Sequence, residues 1–388
     1  MLLAEKPRLR AAIASKTESG TEAATEAMQI IGFAMQDASL RRFCASLPKA
    51  ELHAHLHGSA RLSTIVALAP PSARTTLHRL QQLDSRSLEE CFAAFGAIHQ
   101  TVTKLSAVRR ITADVLGAFA ADGVRYLELR TTPRPLDDAD AEGYVRAVLA
   151  VFAEHEGSAR ARASRTAEWV LRPRLLLSVD RSGSPEQALR TVELAARLRA
   201  TVHGADLRLL GVDFSGNPNR AGFADFAPAF AAARKHGLRV AAHVAEVDAP
   251  LDTAAVLAFR PERLGHALLL SDEQASALET SPIPIELCPT SNCMTLGLGN
   301  LGSHPTLRRW LGGAYPVSIN TDDAGVFNTT LSRELAAVGA ACALTPRQLA
   351  AVGEAALDHA FESDREHVDA LYAIFSATAS RLLRSVVL

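Results

Sequence analysis

Short runs of apolar residues, bounded by turn-forming residues, recur along the chain. Between them lie longer stretches whose apolar positions return every three to four residues. The first kind reads as buried strand and the second as amphipathic helix. Strands are expected over 50–56, 124–130, 174–180, 207–214, 238–246, 263–266, 283–288 and 317–323. Helices are expected over 87–105, where Leu88, Cys91, Phe92, Phe95, Ile98, Val102 and Leu105 form one stripe, and over 108–121, 184–202, 223–236 and 251–259. The helix at 184 opens with a Ser184-x-x-Gln187 capping pattern and Pro185 in its first turn. After 323 the chain reads as helix over 330–341, 345–361 and 365–383. Strand alternating with helix implies a parallel sheet, and eight such units imply a closed (β/α)8 TIM barrel. This barrel carries extra helices between strand 1 and strand 2 and at the C-terminus.

Domain organisation follows from the same pattern. Residues 1–46 are expected to form an N-terminal extension and lead-in helix, and residues 47–388 a single barrel domain. Of the 388 residues, 48% are apolar, enough for a large core. A net charge of −1 argues against a nucleic-acid or membrane surface as partner. Five cysteines without a Cys-x-x-Cys pattern fit free thiols in a reducing compartment, so a cytoplasmic location is expected. No apolar run reaches the length of a membrane helix. Met1 to Ser15 has Arg8 and Arg10 beside Glu5 and no apolar core, so it does not read as a secretory signal. A monomer is expected.

The chemistry sits at strand ends. His53, His55 and His57 alternate along the first expected strand, so the three side chains should share a face. Imidazole is the commonest metal ligand, and two at i and i+2 make half of a site, although such pairs also arise by chance. Later strands add weight: His243 and Glu246 close the fifth, His266 the sixth, and Asp322 and Asp323 the eighth. In a parallel barrel these ends meet at one mouth, where barrel enzymes place their active sites. Burying so many ionisable groups together is costly unless a cation or substrate pairs them. Cys288 and Cys293 read as packing or loop residues. His203, His236 and His304 are expected to have no chemical role.

His-Ala-His55, His-Val-Ala-Glu246, Leu-Gly-His266 and Asn-Thr-Asp-Asp323, in this order, resemble the adenosine deaminase branch of the amidohydrolase superfamily from about Pro48 to the last helices. The resemblance implies one Zn2+ per chain held by His53, His55, His243 and Asp322. It implies that Glu246 protonates the purine N1 while water attacks C6, that His266 orients or deprotonates this water, and that Asp323 accepts hydrogen bonds from it and shuttles its proton. Gly216 would let the backbone approach the purine N3. The fourth strand ends Asp213-Phe-Ser-Gly-Asn-Pro218 and has no Lys to bridge a second metal, so one metal is expected.

The likeness also bears on which purine. Adenosine deaminases continue their first motif His-Leu-Asp-Gly, and that Asp takes the ribose 5′-hydroxyl. Here His57-Gly58 follows instead. A carboxylate would repel a 5′-phosphate, whereas imidazole would not. Leu-Arg-Thr-Thr-Pro-Arg134, Ser-Val-Asp-Arg181, Ser-Gly-Asn-Pro218 and Asp-Asp-Ala-Gly-Val-Phe327 resemble the adenosine deaminase-like subfamily that acts on N6-methyl-AMP. This implies substrate contacts at His55, His57, His99, Thr131, Thr132, Pro133, Arg134, Asp180, Gly216 and Asp323. The subfamily usually has Asn where this chain has His57. The expected reaction is hydrolysis of N6-methyl-AMP to IMP and methylamine; the nearest alternative is deamination of adenosine to inosine, and the full set of metal and proton-transfer residues argues against a third, a silent purine-binding protein on the same scaffold.

Overall fold

A computed structural model describes residues 38–82, 88–166, 170–202 and 207–386. The expected extension falls mostly outside them, as does His203. Eight strands form one sheet: β1 (Lys49–His55), β2 (Val124–Thr131), β3 (Arg172–Asp180), β4 (Leu209–Ser215), β5 (Arg239–Val244), β6 (Arg263–His266), β7 (Ile285–Leu287) and β8 (Val317–Ile319). Each pairs in parallel with the next in sequence order. The ring is joined by a parallel bridge between Ala54 and Asp322. There His55 N donates to Asp322 O at 2.9 Å and Asp322 N donates to His53 O at 2.8 Å. The fold is a (β/α)8 barrel. Nearly all strand residues are buried, as expected of a parallel sheet covered by helices.

Five helical segments separate β1 from β2 among the described residues: Leu56–Ser59, Leu62–Leu68, Pro71–Gln81, Leu88–Thr101 and Leu105–Ala121. The helix at Pro185–Ala200 starts with the expected capping box between Ser184 and Gln187. Two more boxes, Ser271 with Gln274 and Thr345 with Gln348, open later helices in the same way. The long C-terminal helix expected over 345–361 is instead a helix, Pro346–Ala355, followed by a 3-10 turn, Ala356–His359. The turn delivers Phe361 to the barrel floor, where it packs with Leu176, Leu210 and Ala241. Residues 38–46 form a lead-in helix whose Phe43 and Cys44 are buried. Lys49 Nζ closes its C-terminal end by donating to Cys44 O at 2.8 Å and Leu47 O at 2.6 Å. No helix among the described residues is long and apolar enough to cross a membrane.

The barrel interior is charged rather than oily. Arg130 of β2 pairs with Asp213 of β4 at 2.8 Å and with Glu286 of β7 at 2.9 Å, all fully buried. Arg263 of β6 pairs with Glu286 at 2.6 Å and Glu128 at 2.5 Å, and its guanidinium lies 3.6 Å from the centre of the Phe361 ring. Ions this deep are tolerated because each has partners on two sides. This lattice is the floor on which the mouth is built.

Candidate active site

His53 and His55 leave β1 on the same face, His243 ends β5, and Asp322 follows β8. Their donor atoms all lie within 4.8 Å of one another. Three separations are tighter: His55 Nε2 to His243 Nε2 is 3.2 Å, His55 Nε2 to Asp322 Oδ1 is 3.3 Å, and His53 Nε2 to Asp322 Oδ1 is 3.4 Å. Bonds of about 2.0–2.1 Å arranged tetrahedrally have edges of about 3.3 Å, so the donor set fits a zinc-sized ion. His53 Nε2 is buried and makes no hydrogen bond among the described residues, as a nitrogen reserved for a metal would be. Burial, helped by the His243 and His53 rings and against the pull of Asp322, leaves His55 well below the ordinary histidine range, so it offers a lone pair at neutral pH.

Three of the four ligands have a group behind them. Glu286 Oε2 lies 2.6 Å from His53 Nδ1, Asp213 Oδ1 lies 3.2 Å from His243 Nδ1, and Ser291 Oγ donates to Asp322 Oδ2 at 2.7 Å. Burial opposes the Glu286 charge, but Arg130, Arg263 and His53 overcome it and hold its carboxyl well below the usual range. A carboxylate on the far nitrogen fixes the tautomer and makes the ligand more basic. Sequence reasoning missed these supports. The available signal was a lone charge in the middle of an apolar strand, as in Ile285-Glu286-Leu287. Glu286→Gln is expected to lower metal affinity about 10–100-fold. It should also cost about 3–5 kcal/mol of stability by stranding buried charge. Metal titration and denaturant unfolding check the two effects, and an unchanged midpoint would remove Glu286 from its structural role.

The groups around the ligands are also gathered. Glu246 lies two residues beyond β5, half-buried, with Oε1 3.5 Å from His266 Nε2. His266 and Asp322 both have left-handed backbones, φ 63° and 60°, a conformation uncommon for side-chain-bearing residues and concentrated at functional sites. Asp323 is buried, and its Oδ1 has no hydrogen-bond partner among the described residues. Burial first, and Asp322 second, raise the Asp323 carboxyl well above the usual range, which makes its carboxylate a stronger proton acceptor than one at the surface. A Cβ on Gly58 would run into this carboxylate, so only glycine lets the segment after β1 approach it.

A second group lies beside the first, after β2. His57 does not continue the strand as expected. Its strand ends at His55, and residues Leu56–Ser59 coil into a helical turn. The turn carries the His57 ring away from the ligands, to 5.6 Å from His99 and within 3.3 Å of Tyr144 Oη. Tyr144 also shares a 2.6 Å hydrogen bond with Thr131 Oγ1. It was not singled out in the sequence, because it sits on the helix Ala141–Thr166 with no motif around it. Thr132 is exposed, while Pro133 and Arg134 are half-buried beside Thr131. Arg134 Nη2 donates to Val102 O at 2.7 Å, but its buried Nε has no partner among the described residues. Asp180, at the end of β3, accepts from Ser182 N at 2.8 Å and faces Gly216, where φ is 99° and a Cβ would strike the Asp180 carboxylate. Cys288 is buried and Cys293 half-buried; both are free thiols. His304, expected to be idle, is buried and hydrogen-bonded to Asn292 at 3.1 Å, with Asn292 in turn 2.9 Å from His266 Nδ1.

Comparison with known proteins bears on what this site does. The model of the family described as adenosine deaminase matches residues 48–375. The chain is 35% identical over 339 residues to the N6-mAMP deaminase of Arabidopsis thaliana, covering 82% of this chain and 94% of that one. It is 35% identical over 338 residues to the N6-methyl-AMP deaminase of Mus musculus, covering 83% and 89%. Its fold superposes on a crystal structure of Arabidopsis ADAL complexed with IMP with a TM-score of 0.76 at 34% identity, covering 87% of this chain and 98% of that one.

Proposed function

Because the chain belongs to the adenosine deaminase family and is a hydrolytic deaminase, we propose that its substrate is a purine 5′-nucleotide, N6-methyl-AMP, which it converts with water to IMP and methylamine. The observation that carries the nucleotide over the nucleoside is Arg134. It is half-buried and makes no ion pair among the described residues. Burial, offset only in part by Tyr144, weakens its charged form. A desolvated cation with an open donor and neighbouring hydroxyl, phenol and imidazole groups suits a phosphate. Burial, with Arg134 next, keeps His57 well below the ordinary histidine range, so this position turns a neutral ring rather than a carboxylate toward the anion. The IMP complex of the Arabidopsis relative supports the same product class.

In this reading one Zn2+ lies among His53, His55, His243 and Asp322, and when bound it lowers the pKa of a water toward neutrality. The protein's own groups do the rest. Glu246 donates a proton to the purine N1, which makes C6 electrophilic. His266 orients the attacking water, and Asp323 receives a proton as the new C6–O bond forms. The proton then passes from Asp323 to the exocyclic nitrogen, the C6–N bond breaks and methylamine leaves, while the proton remaining on the C6 oxygen returns to Glu246. Gly216 admits the purine edge, and Asp180, held by Ser182 N, lines the same wall. Thr131, Thr132, Pro133 and Arg134, with His57 and His99, flank the phosphate.

The test is a comparison of kcat/KM for adenosine, AMP and N6-methyl-AMP. The methylated nucleotide is expected to lead, and a strong preference for adenosine would overturn the assignment. Arg134→Ala is expected to reduce kcat/KM for the nucleotide by about tenfold to a hundredfold, since a hydrogen bond to a charged group contributes about 1.5–3 kcal/mol. Activity on the nucleoside should hardly change. Equal losses on both substrates would remove Arg134 from the phosphate site.

A further inference from the structure

His304 follows the short 3-10 turn Leu301–Ser303 and is 6% exposed. Its Nδ1 accepts from two backbone groups, Thr306 N at 3.3 Å and Leu307 N at 3.1 Å. A nitrogen that accepts cannot carry the ring proton. Burial, with His266 next, pushes His304 down to about 4, so the ring is neutral at pH 7. A neutral imidazole has one N–H, and here it must be on Nε2.

The His304 Nε2–H faces the Asn292 side chain, whose amide nitrogen is placed 3.1 Å from it and whose oxygen is placed 2.9 Å from His266 Nδ1. The two ends of an amide have the same shape, so their partners decide which is oxygen and which is nitrogen. If the oxygen faced His266, the amide NH2 would face His304, and one neutral ring would need lone pairs at both nitrogens. The oxygen therefore faces His304 and the NH2 faces His266. An NH2 group only donates, so His266 Nδ1 is a bare acceptor, and the His266 proton sits on Nε2, the nitrogen 3.5 Å from Glu246.

We propose that Asn292 and His304 are positioning residues that lock His266 into its Nε2–H tautomer, making His266 a fixed hydrogen-bond donor to the attacking water rather than its base. Two backbone N–H groups thereby set the proton on a ring two side chains away. The base role falls to Asp323, whose buried Oδ1 has no other partner among the described residues. The order of segments makes the relay invisible in sequence: His266, Asn292 and His304 come from the end of β6, the helix Pro289–Thr295 and the loop after Leu301–Ser303. The catalytic consequence rests on the deaminase reading of His266 and Asp323, whereas the tautomer does not.

The tautomer can be read directly. In full-length protein purified with its metal and labelled with 15N-histidine, two-bond proton–nitrogen correlation separates bare from protonated ring nitrogens. His266→Gln and His304→Gln assign the two rings by loss of signal. The expected pattern is a bare Nδ1 and protonated Nε2 in both rings; a proton on His266 Nδ1 overturns the proposal, whatever the substrate proves to be. Asn292→Asp provides a second measurement. The carboxylate keeps the shape but can only accept, so it forces a proton onto His266 Nδ1. Turnover is expected to fall by about 10–10⁴-fold, the upper end being the cost of a wrong tautomer in a hydrolase triad, with KM and metal content nearly unchanged. If the oxygen had faced His266 all along, Asn292→Asp would preserve that bond. A loss of less than about tenfold, or a loss carried by KM, therefore overturns the proposal.

Discussion

Glu246→Gln is expected to lower kcat by about 10²–10⁴-fold while leaving the metal bound, because an amide keeps the shape of the acid and cannot give up a proton. The size follows from the role. Attack at C6 puts negative charge on the ring, and protonation of N1 removes it in the same step. The measurement is steady-state turnover beside metal content. A variant with near-normal kcat would exclude the acid role.

Removing the metal should have the second large effect. Chelation is expected to bring deamination to background, and about one equivalent of Zn2+ per chain should restore it. Stability should fall as well, because the ion balances Asp322 against three imidazoles. Where the metal stood at about 1,000 times its Kd, its loss costs about 4 kcal/mol. Denaturant unfolding with and without chelator measures this. Two equivalents required for activity would contradict a single-metal site; unchanged activity after full removal would contradict metal dependence altogether.

The parts of the site that the sequence disclosed are those fixed by strand periodicity. His53 and His55 alternate on β1, and His243, His266 and Asp322 fall where parallel strands end, so one barrel mouth collects them. His57 was misplaced because alternation carries no signal for where a strand stops. Gly58 permits a tight approach to Asp323, and the backbone coils one residue earlier than the pattern suggests. The interior lattice of Arg130, Arg263, Asp213 and Glu286 was hidden for another reason. Asp213 and Glu286 each stand alone in an apolar run, Arg130 and Arg263 lie near other charges in the chain, and only barrel closure brings the four together. Tyr144 and His304 were beyond reach because their partners, Thr131 and Asn292, lie 13 and 12 residues away on other elements. Segment ends were the weakest readings: β8 stops at Ile319, and Asn320 replaces the ladder by accepting from Leu52 N at 3.0 Å.

Crystals of the metal-loaded protein, measured on both sides of the zinc absorption edge, would address the central claim directly. The account predicts one anomalous peak per chain, at about 2.0–2.2 Å from His53 Nε2, His55 Nε2, His243 Nε2 and Asp322 Oδ1. A peak elsewhere, a second peak of equal height, or four donors turned away from any common centre would contradict it.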